Sequence, residues 1–289
     1  MPLEFDWVDA FSPRPFGGNG CAVVHGAEGL SGETCMAFVR ETGLVECTFL
    51  GPSELADMKV RYFMADQEIP FAGHPTLATV ASMVDRGLVA EKGITLETAA
   101  GLIPIALEFS ANSGPTITMT QNTPEFGAGV PLALVADLGG LEIEDILGLP
   151  RVVSTGLPFC IVVLKDKDAL RRVKLNLPLV EKFRKETGVL EPFWVTLGGA
   201  TEAGCTFSRL VLAPPLPPED PFTGSATGAM AAYLWSEGLI EEPVFVAEQG
   251  HWMGRPGQAQ VEVLGPRDAI TGVRVGGQAH VLMRGSLSL

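Results

Sequence analysis

The sequence EIPFAGHPTLATVASMVDRGLV occupies residues 68–89, and the chain contains a second copy of it. Residues 219–240 read EDPFTGSATGAMAAYLWSEGLI and align with the first copy without a gap, at an offset of 151 positions. Nine of the 22 aligned positions are identical, among them Gly73 and Gly224. A single repeat at half the chain length predicts two related lobes, because a solenoid repeats a short unit many times.

Each copy has the pattern of a loop that leads into a helix. Pro75 suits the first helical position, where no backbone N–H is needed, and Ser225 is predicted to cap the second helix with its hydroxyl. Gly87 and Gly238 follow as left-handed residues at the helix ends. Both runs contain few polar residues, which predicts two buried helices.

A glycine at a helix start leaves backbone N–H groups open to a ligand, and the helix dipole favours an anion there. Two such starts, at Gly73 and Gly224, would form a carboxylate clamp if they faced one cleft. The same glycines also permit close packing alone, and the helix pattern by itself favours that simpler interpretation.

The composition is that of a well-packed globular enzyme or binding protein. The 289 residues are 46% hydrophobic and 19% charged, and the length predicts two domains. The net charge of −14 argues against nucleic acid as a partner, since phosphate binding requires concentrated Lys and Arg. A small anionic substrate stays compatible with it, because backbone dipoles act locally.

The N-terminus and the cysteines predict a cytoplasmic protein. The first 16 residues, MPLEFDWVDAFSPRPF, are acidic and interrupted by prolines, which is unlike a signal peptide. No apolar run approaches the ~20 residues of a membrane-spanning helix. The five cysteines form no CxxC pair, so we expect free thiols and neither a zinc site nor another metal.

Four polar residues outside the helix interiors are candidates for the site. Asn19 lies in GGNG, residues 17–20, where a hairpin turn is favoured over a site-lining role. Residues 45–50 alternate as a strand that directs Glu46 and Thr48 to one face, which alone predicts a solvent-facing glutamate. His74 lies at the start of the first repeated helix, and Asp220 precedes the second. The position of each is compatible with contact to a ligand and also with a purely structural role.

The absence of several catalytic motifs limits the reactions that this sequence predicts. Ala72 and Thr223 precede the paired glycines, where a two-thiol racemase needs cysteines. Neither a GxSxG nucleophile motif nor an HExxH metal motif occurs. Two carboxylates, an imidazole and backbone amides remain, a set that suits proton transfer at a carbon acid.

The turn-rich residues 121–130 predict the boundary between the lobes near residue 124. The final strands, within 271–285, are predicted to return to the sheet of the first lobe. The expected N-terminal lobe is therefore 1–124 with 272–289, and the expected C-terminal lobe is 125–271.

The motifs DAFSPRPFGGNGCAVV, ETGLVECTF, EIPFAGHPTLA, EDPFTGSATG and EQGHWMGRP occur in the order and spacing of the PhzF-like phenazine-biosynthesis family. The chain resembles that family over nearly its whole length. The resemblance implies the diaminopimelate epimerase-like α+β fold, with two pseudo-symmetric lobes. Each lobe would be a curled, mostly antiparallel sheet around a central helix, with the active site in the cleft between the lobes.

The resemblance also implies an activity and roles for residues. The family reaction isomerises trans-2,3-dihydro-3-hydroxyanthranilate without cofactor or metal, in a homodimer. Glu46 would be the general acid/base, and His74 and Asp220 would orient the substrate. The substrate's carboxylate would be held at Gly73, His74, Gly224 and Ser225, so the expected partner is a small carboxylate, with neither nucleic acid nor membrane.

This sequence departs from the family pattern at several positions. Gly20 stands where proline is common, Val45 and Cys47 flank the glutamate in place of Ser and Thr, and Thr227 replaces a frequent histidine. Three hypotheses therefore stay open: a cofactor-independent isomerase or epimerase, a racemase or dehydratase of the same fold, and a carboxylate-binding protein without turnover.

Overall fold

The computed structural model describes residues 2–89, 92–110, 113–214 and 216–289. The chain divides into a first unit, Met1–Met119 with Gly276–Leu289, and a second unit, Thr120–Val275. The elements up to residue 121 are β1 Leu3–Ala10, β2 Asn19–Val24, α1 Gly32–Thr42, β3 Cys47–Gly51, β4 Met58–Phe63, β5 Glu68–Ile69, α2 Gly73–Asp85, β6 Gly93–Thr98, β7 Gly101–Ser110 and β8 Ser113–Gln121.

The remaining elements are β9 Glu125–Gly129, α3 Leu132–Gly139, β10 Ile146–Ser154, β11 Pro158–Leu164, α4 Lys167–Arg172, α5 Leu177–Thr187, β12 Pro192–Leu197, β13 Thr206–Val211, β14 Glu219–Asp220, α6 Gly224–Ser236, β15 Val244–Gln249, β16 Gly257–Leu264, β17 Gly272–Gly277 and β18 Ala279–Leu287. Two short 3₁₀ turns, Ile143–Asp145 and His251–Met253, complete the list.

The first unit contains a mixed sheet in the strand order β18–β1–β2–β3–β4–β6–β7–β8. The pairs β2–β3 and β4–β6 are parallel and the other pairs are antiparallel. The pairing of β18 with β1 confirms that the last strand returns to the first sheet.

The second unit repeats this arrangement in the order β9–β10–β11–β12–β13–β15–β16. Its parallel pairs, β11–β12 and β13–β15, occupy the corresponding places. In both units a two-residue strand, β5 or β14, leads into the central helix. The same topology thus occurs twice, which confirms the α+β fold with two related halves.

Both central helices are buried, as their apolar sequences predict. Residues 73–83 of α2 are all buried, and α2 contacts β1, β2, β3 and β18. Residues 226–234 of α6 are buried as well, and α6 contacts β10, β11 and β16. The left-handed backbone expected at the two glycines is confirmed, with φ of +70° at Gly87 and +68° at Gly238.

Three local predictions are wrong. Thr223, not Ser225, precedes α6, because the Thr223 hydroxyl donates to Asp220 and the helix begins at Gly224. Pro75 is the third residue of α2, still within the turn where its N–H is not required. Residues 125–129 form β9 within the predicted turn region, since they pair with β10.

The strand at residues 45–50 also differs from its prediction. It begins at Cys47, so Glu46 lies just before β3 and not within it. Both faces of β3 are buried: Cys47 and Phe49 pack in the cluster that includes α1, and Thr48 accepts a hydrogen bond from Thr79 of α2 at 2.9 Å. A strand covered on two sides has no solvent-facing row, so its alternation does not indicate exposure.

Candidate active site

The first unit brings three of the predicted site residues together at the start of α2. His74 is the second residue of that helix, and its Nδ1 lies 3.5 Å from Oε2 of Glu46. The side-chain nitrogen of Asn19, at the start of β2, lies 3.3 Å from the same Nδ1. Three segments that are distant in sequence therefore converge on one imidazole.

Burial determines the charge of that imidazole. His74 is only 6% exposed, and burial lowers its pKa to about 3. His74 is therefore neutral at neutral pH, and its contact with Glu46 is a polar contact with an uncharged ring. In the described residues its Nε2 has no hydrogen-bond partner, so the ring presents one buried, unsatisfied nitrogen.

The groups around Glu46 are protonated and poorly solvated. Burial raises the pKa of Cys47 to about 12, and it raises the pKa of Cys21 and of Tyr62 as well. The negative charge of Glu46 contributes to all three shifts. Glu46 itself is partly buried, with a side-chain exposure of 16%. These thiols and the phenol are therefore protonated, and are not bases, at neutral pH.

The start of α2 is fixed by a hydrogen bond to the carbonyl of Ala72, the residue that precedes the helix. The carbonyl of Ala72 accepts from the Thr76 hydroxyl at 2.7 Å, and the Tyr62 hydroxyl lies 2.7 Å from the same Thr76 oxygen. Within the described residues, no acceptor is within hydrogen-bond reach of the amides of Gly73 and His74. Two N–H groups are thus available at this helix start, as expected for the first turn.

In the second unit, the turn before α6 is built from Asp220 and Thr223. Asp220 ends β14 and is 5% exposed, and its carboxylate accepts a hydrogen bond from the Thr223 hydroxyl. The carbonyl of Thr223 accepts from both the N–H and the hydroxyl of Thr227, each at 2.9 Å. Thr76 and Thr227 occupy equivalent repeat positions and make the same contact, which explains why the repeat retains threonine.

Two glutamine side chains hold this second helix start. Gln249, at the end of β15, accepts from the N–H of Thr223 at 3.1 Å and donates to the Asp220 carbonyl at 2.8 Å. Gln121 donates to the carbonyl of Gly224 at 2.9 Å. The amides of Gly224 and Ser225 have no acceptor in the described part of the chain, so they too are available to a ligand.

Sequence analysis missed Gln121, Gln249 and Tyr62. Gln249 offered a signal, since it is a polar residue at the end of an apolar strand and belongs to the EQGHWMGRP motif. Tyr62 and Gln121 offered none, because each looks like an ordinary strand residue until its hydrogen bond is known.

The described residues contain neither a helix of membrane-spanning character nor a cluster of metal-binding side chains. None of their helices is long and apolar enough to cross a membrane. No group of three or more His, Cys, Asp or Glu side chains among them is arranged to hold a metal ion.

The family model described as phenazine biosynthesis-like protein, PhzC-PhzF, matches residues 8–285. The chain belongs to this family. An uncharacterised isomerase of Deinococcus radiodurans is 34% identical to this PhzF-family chain over 290 residues, covering 96% of the chain and 92% of the relative. A trans-2,3-dihydro-3-hydroxyanthranilate isomerase of Pseudomonas fluorescens is 30% identical over 291 residues and covers 98% of both.

Solved structures agree with this assignment. The PhzF-family phenazine biosynthesis protein of Bacillus anthracis superposes with a TM-score of 0.89 at 28% identity and covers 100% of both chains. A hydroxyproline epimerase of Agrobacterium vitis has a TM-score of 0.65 at 14% identity over 99% of this chain and 91% of its own, a likeness of fold alone. The protein is a PhzF-family isomerase with the epimerase-like fold.

Proposed function

We propose that this isomerase moves a proton between carbons of a small cyclic amino- or hydroxy-carboxylate, with Glu46 as the general acid/base. The reaction type is that of a trans-2,3-dihydro-3-hydroxyanthranilate isomerase, a name that relatives of about this length carry. The observation that carries the proposal is the partly buried Glu46 carboxylate, 3.5 Å from the neutral ring of His74.

In the proposed step, Glu46 accepts a proton from a substrate carbon. The C–H bond breaks, its electron pair moves into the adjacent double-bond system, and an O–H bond forms on the carboxylate. The carboxyl proton exchanges with solvent, so that in D2O a deuteron replaces it; the O–H or O–D bond then breaks as that proton or deuteron is delivered to another carbon of the ring. Atoms and charge balance within the substrate and Glu46, so each turnover restores the carboxylate.

His74 would orient the reacting groups without carrying the proton. Its pKa of about 3 makes the ring a poor base and leaves it uncharged. Its buried, unsatisfied Nε2 is suited to a hydrogen bond with an amine or hydroxyl of the substrate. Asn19, which contacts Nδ1, would then support the ring and not only line the site.

The helix starts would hold the substrate's carboxylate. In each unit two consecutive amides, those of Gly73 and His74 and those of Gly224 and Ser225, lack an acceptor in the described residues. Amides at a helix start are suited to an anion. Asp220 would contact the substrate's amine or hydroxyl, as the family resemblance implies.

Proton NMR in D2O with trans-2,3-dihydro-3-hydroxyanthranilate tests the proposal. We expect product with deuterium at carbon from the wild type, and a rate about 10²–10⁴-fold lower from Glu46→Gln, which keeps the shape of the side chain but cannot take a proton. Glu54→Gln, which changes an exposed glutamate, is the control and should react as the wild type does.

Other outcomes separate the alternatives. Full activity of Glu46→Gln would show that another group transfers the proton. Tight binding of the substrate with no deuterium incorporation would favour a carboxylate-binding protein. Racemisation of amino acids would favour the racemase alternative, which needs thiols where this chain has Ala72 and Thr223.

A further inference from the structure

The side chain of Gln249 makes three hydrogen bonds, all to the turn that precedes α6. Its Oε1 accepts from the Thr223 N–H at 3.1 Å. Its Nε2 donates to the Asp220 carbonyl at 2.8 Å and to the Thr223 hydroxyl at 3.2 Å. The residue is fully buried, so no water competes for these groups.

These bonds connect Gln249 to the Asp220 carboxylate through one hydroxyl. The Thr223 hydroxyl accepts from Gln249 and donates to the carboxylate of Asp220. The Thr223 hydroxyl, which Gln249 contacts, is thus one of the groups that hold that carboxylate. The N–H of Thr223 is used by Gln249, and the next two amides, of Gly224 and Ser225, stay available.

The backbone next to Gln249 is packed tightly against the same turn. Gly250 has φ of +81°, and a Cβ there would lie 2.5 Å from the carbonyl oxygen of Pro221. A side chain at this position is excluded by both conformation and space. The end of β15 and the turn at 220–223 are thus in close contact.

Among the described residues of the first unit, the side chain at the equivalent place makes a different hydrogen bond. Strands β6 and β15 are related by the repeat offset, which places Thr98 where the second unit has Gln249. The Thr98 hydroxyl donates to the carbonyl of Gly101, three residues along the chain. The repeated strand thus forms in the first unit with a threonine at this position.

We propose that Gln249 is a positioning residue for the proposed reaction: it fixes the turn at 220–223 and thereby aims the Asp220 carboxylate and the Gly224 and Ser225 amides at the substrate. The inference rests on the proposed function. Gln249 does not touch the reacting atoms, and its effect is exerted through Thr223 and Asp220.

Two substitutions separate its hydrogen-bonding roles. Gln249→Met preserves the volume and removes all three bonds, whereas Gln249→Glu keeps an acceptor for the Thr223 N–H but loses both donated bonds. Gln258→Met is the matched control, since Gln258 is exposed on the neighbouring strand β16, opposite Glu248. If Gln249→Met fails to fold, Thr223→Val removes the linking hydroxyl alone.

The readouts are amide hydrogen exchange at Thr223 and the binding of anthranilate, a planar amino-carboxylate probe, followed by NMR at Gly224 and Ser225. We expect faster exchange in Gln249→Met than in wild type, retained protection in Gln249→Glu, and anthranilate affinity at least tenfold weaker in both. In steady-state kinetics, we expect both variants to raise KM and to change kcat much less. Gln258→Met should match the wild type in every readout.

Wild-type affinity for anthranilate in Gln249→Met and Gln249→Glu would overturn the inference, because a purely structural glutamine would change stability alone. Failure of the proposed function gives a different result: the wild type would neither bind anthranilate nor convert the substrate. In that case the rate of amide hydrogen exchange at Thr223 tests the role of Gln249. Equal exchange rates in Gln249→Met and Gln258→Met would overturn the inference.

Discussion

The starts of α2 and α6 are built from one repeated sequence but carry different side chains. At α2 the repeat has Gly73-His74, with Glu46 and Asn19 in contact with the imidazole. At α6 it has Gly224-Ser225, where glutamine side chains hold the backbone and Asp220 is the nearby acid. The duplicated fold supplies two similar helix starts, and in our proposal only the first carries the proton-transfer group.

The far ends of the two helices differ as well. The end of α2 is tied to β1 through the buried Asp6, which accepts two hydrogen bonds from Arg86 at 2.7 Å and one from Ser82 at 2.6 Å. The end of α6 is held by a neutral bond at 2.8 Å from the Tyr233 hydroxyl to the Leu149 carbonyl. The helix that carries His74 is thus anchored by a charged group, and its counterpart by neutral hydrogen bonds, since the Trp235 side chain also donates to the Gly265 carbonyl at 3.2 Å.

The largest expected effect is on stability at the charged anchor. Asp6→Ala removes the buried carboxylate that accepts hydrogen bonds from Arg86 and Ser82, and we expect a loss of about 3–5 kcal/mol in the free energy of unfolding. Tyr233→Phe, the matched change on α6, should cost only about 1 kcal/mol. Denaturant unfolding of both variants measures the difference, and equal costs would show that the two ends are held alike.

The second effect is a decrease in the free energy of unfolding as the pH falls. Because the pKa of His74 in the folded protein, about 3, lies below the ordinary histidine value of 6.5, the unfolded chain binds the proton first. His74 therefore lowers stability as the pH falls from 6.5 towards 3, by up to ~1.4 kcal/mol per pH unit. His25 and Asp6, whose pKa values are also lowered, act in the same direction.

His74→Gln is the variant that tests this dependence, since glutamine has no proton to gain. We expect a flatter curve of unfolding free energy against pH between 6.5 and 4.5 than in the wild type. An unchanged slope would mean that His74 is charged or solvated in the folded protein. His280→Gln, which changes a histidine outside this cluster, is the control.

The third effect is on kcat, when the residue after the glycine is changed at each helix start. His74→Ser gives α2 the Gly-Ser start of α6, and we expect kcat to fall about tenfold to hundredfold because one hydrogen bond in a buried site is lost. Ser225→Ala should change kcat by less than about threefold, since its backbone amide is unaltered. Steady-state kinetics with the proposed substrate compares the two, and equal losses would contradict the division of roles.

Much of this organisation was accessible from the sequence, because glycines and small residues recur at fixed spacing. The repeat predicted two buried helices, and the ends at Gly87 and Gly238 followed from their backbone requirements. The family motifs indicated Glu46 and His74, whose contact the structure shows. Local pattern was enough for the backbone conformation at these two glycines.

The rest required knowledge of contacts between distant segments. The burial of Thr48 depends on α2 covering the second face of β3, which alternation within the strand does not reveal. The cap of α6 was assigned to Ser225, because the competing bond between Thr223 and Asp220 could not be known. Gln249 looks like the polar end of a strand until its three partners are known.

One comparison tests the central claim, that Glu46 transfers the proton while the α6 start holds the substrate. Deuterium incorporation from D2O into trans-2,3-dihydro-3-hydroxyanthranilate is measured at saturating substrate in wild type, Glu46→Gln and Gln249→Met. We predict incorporation near the wild-type rate in Gln249→Met, and a loss of at least hundredfold in Glu46→Gln. Incorporation that persists in Glu46→Gln, or that Gln249→Met loses equally, would contradict the account.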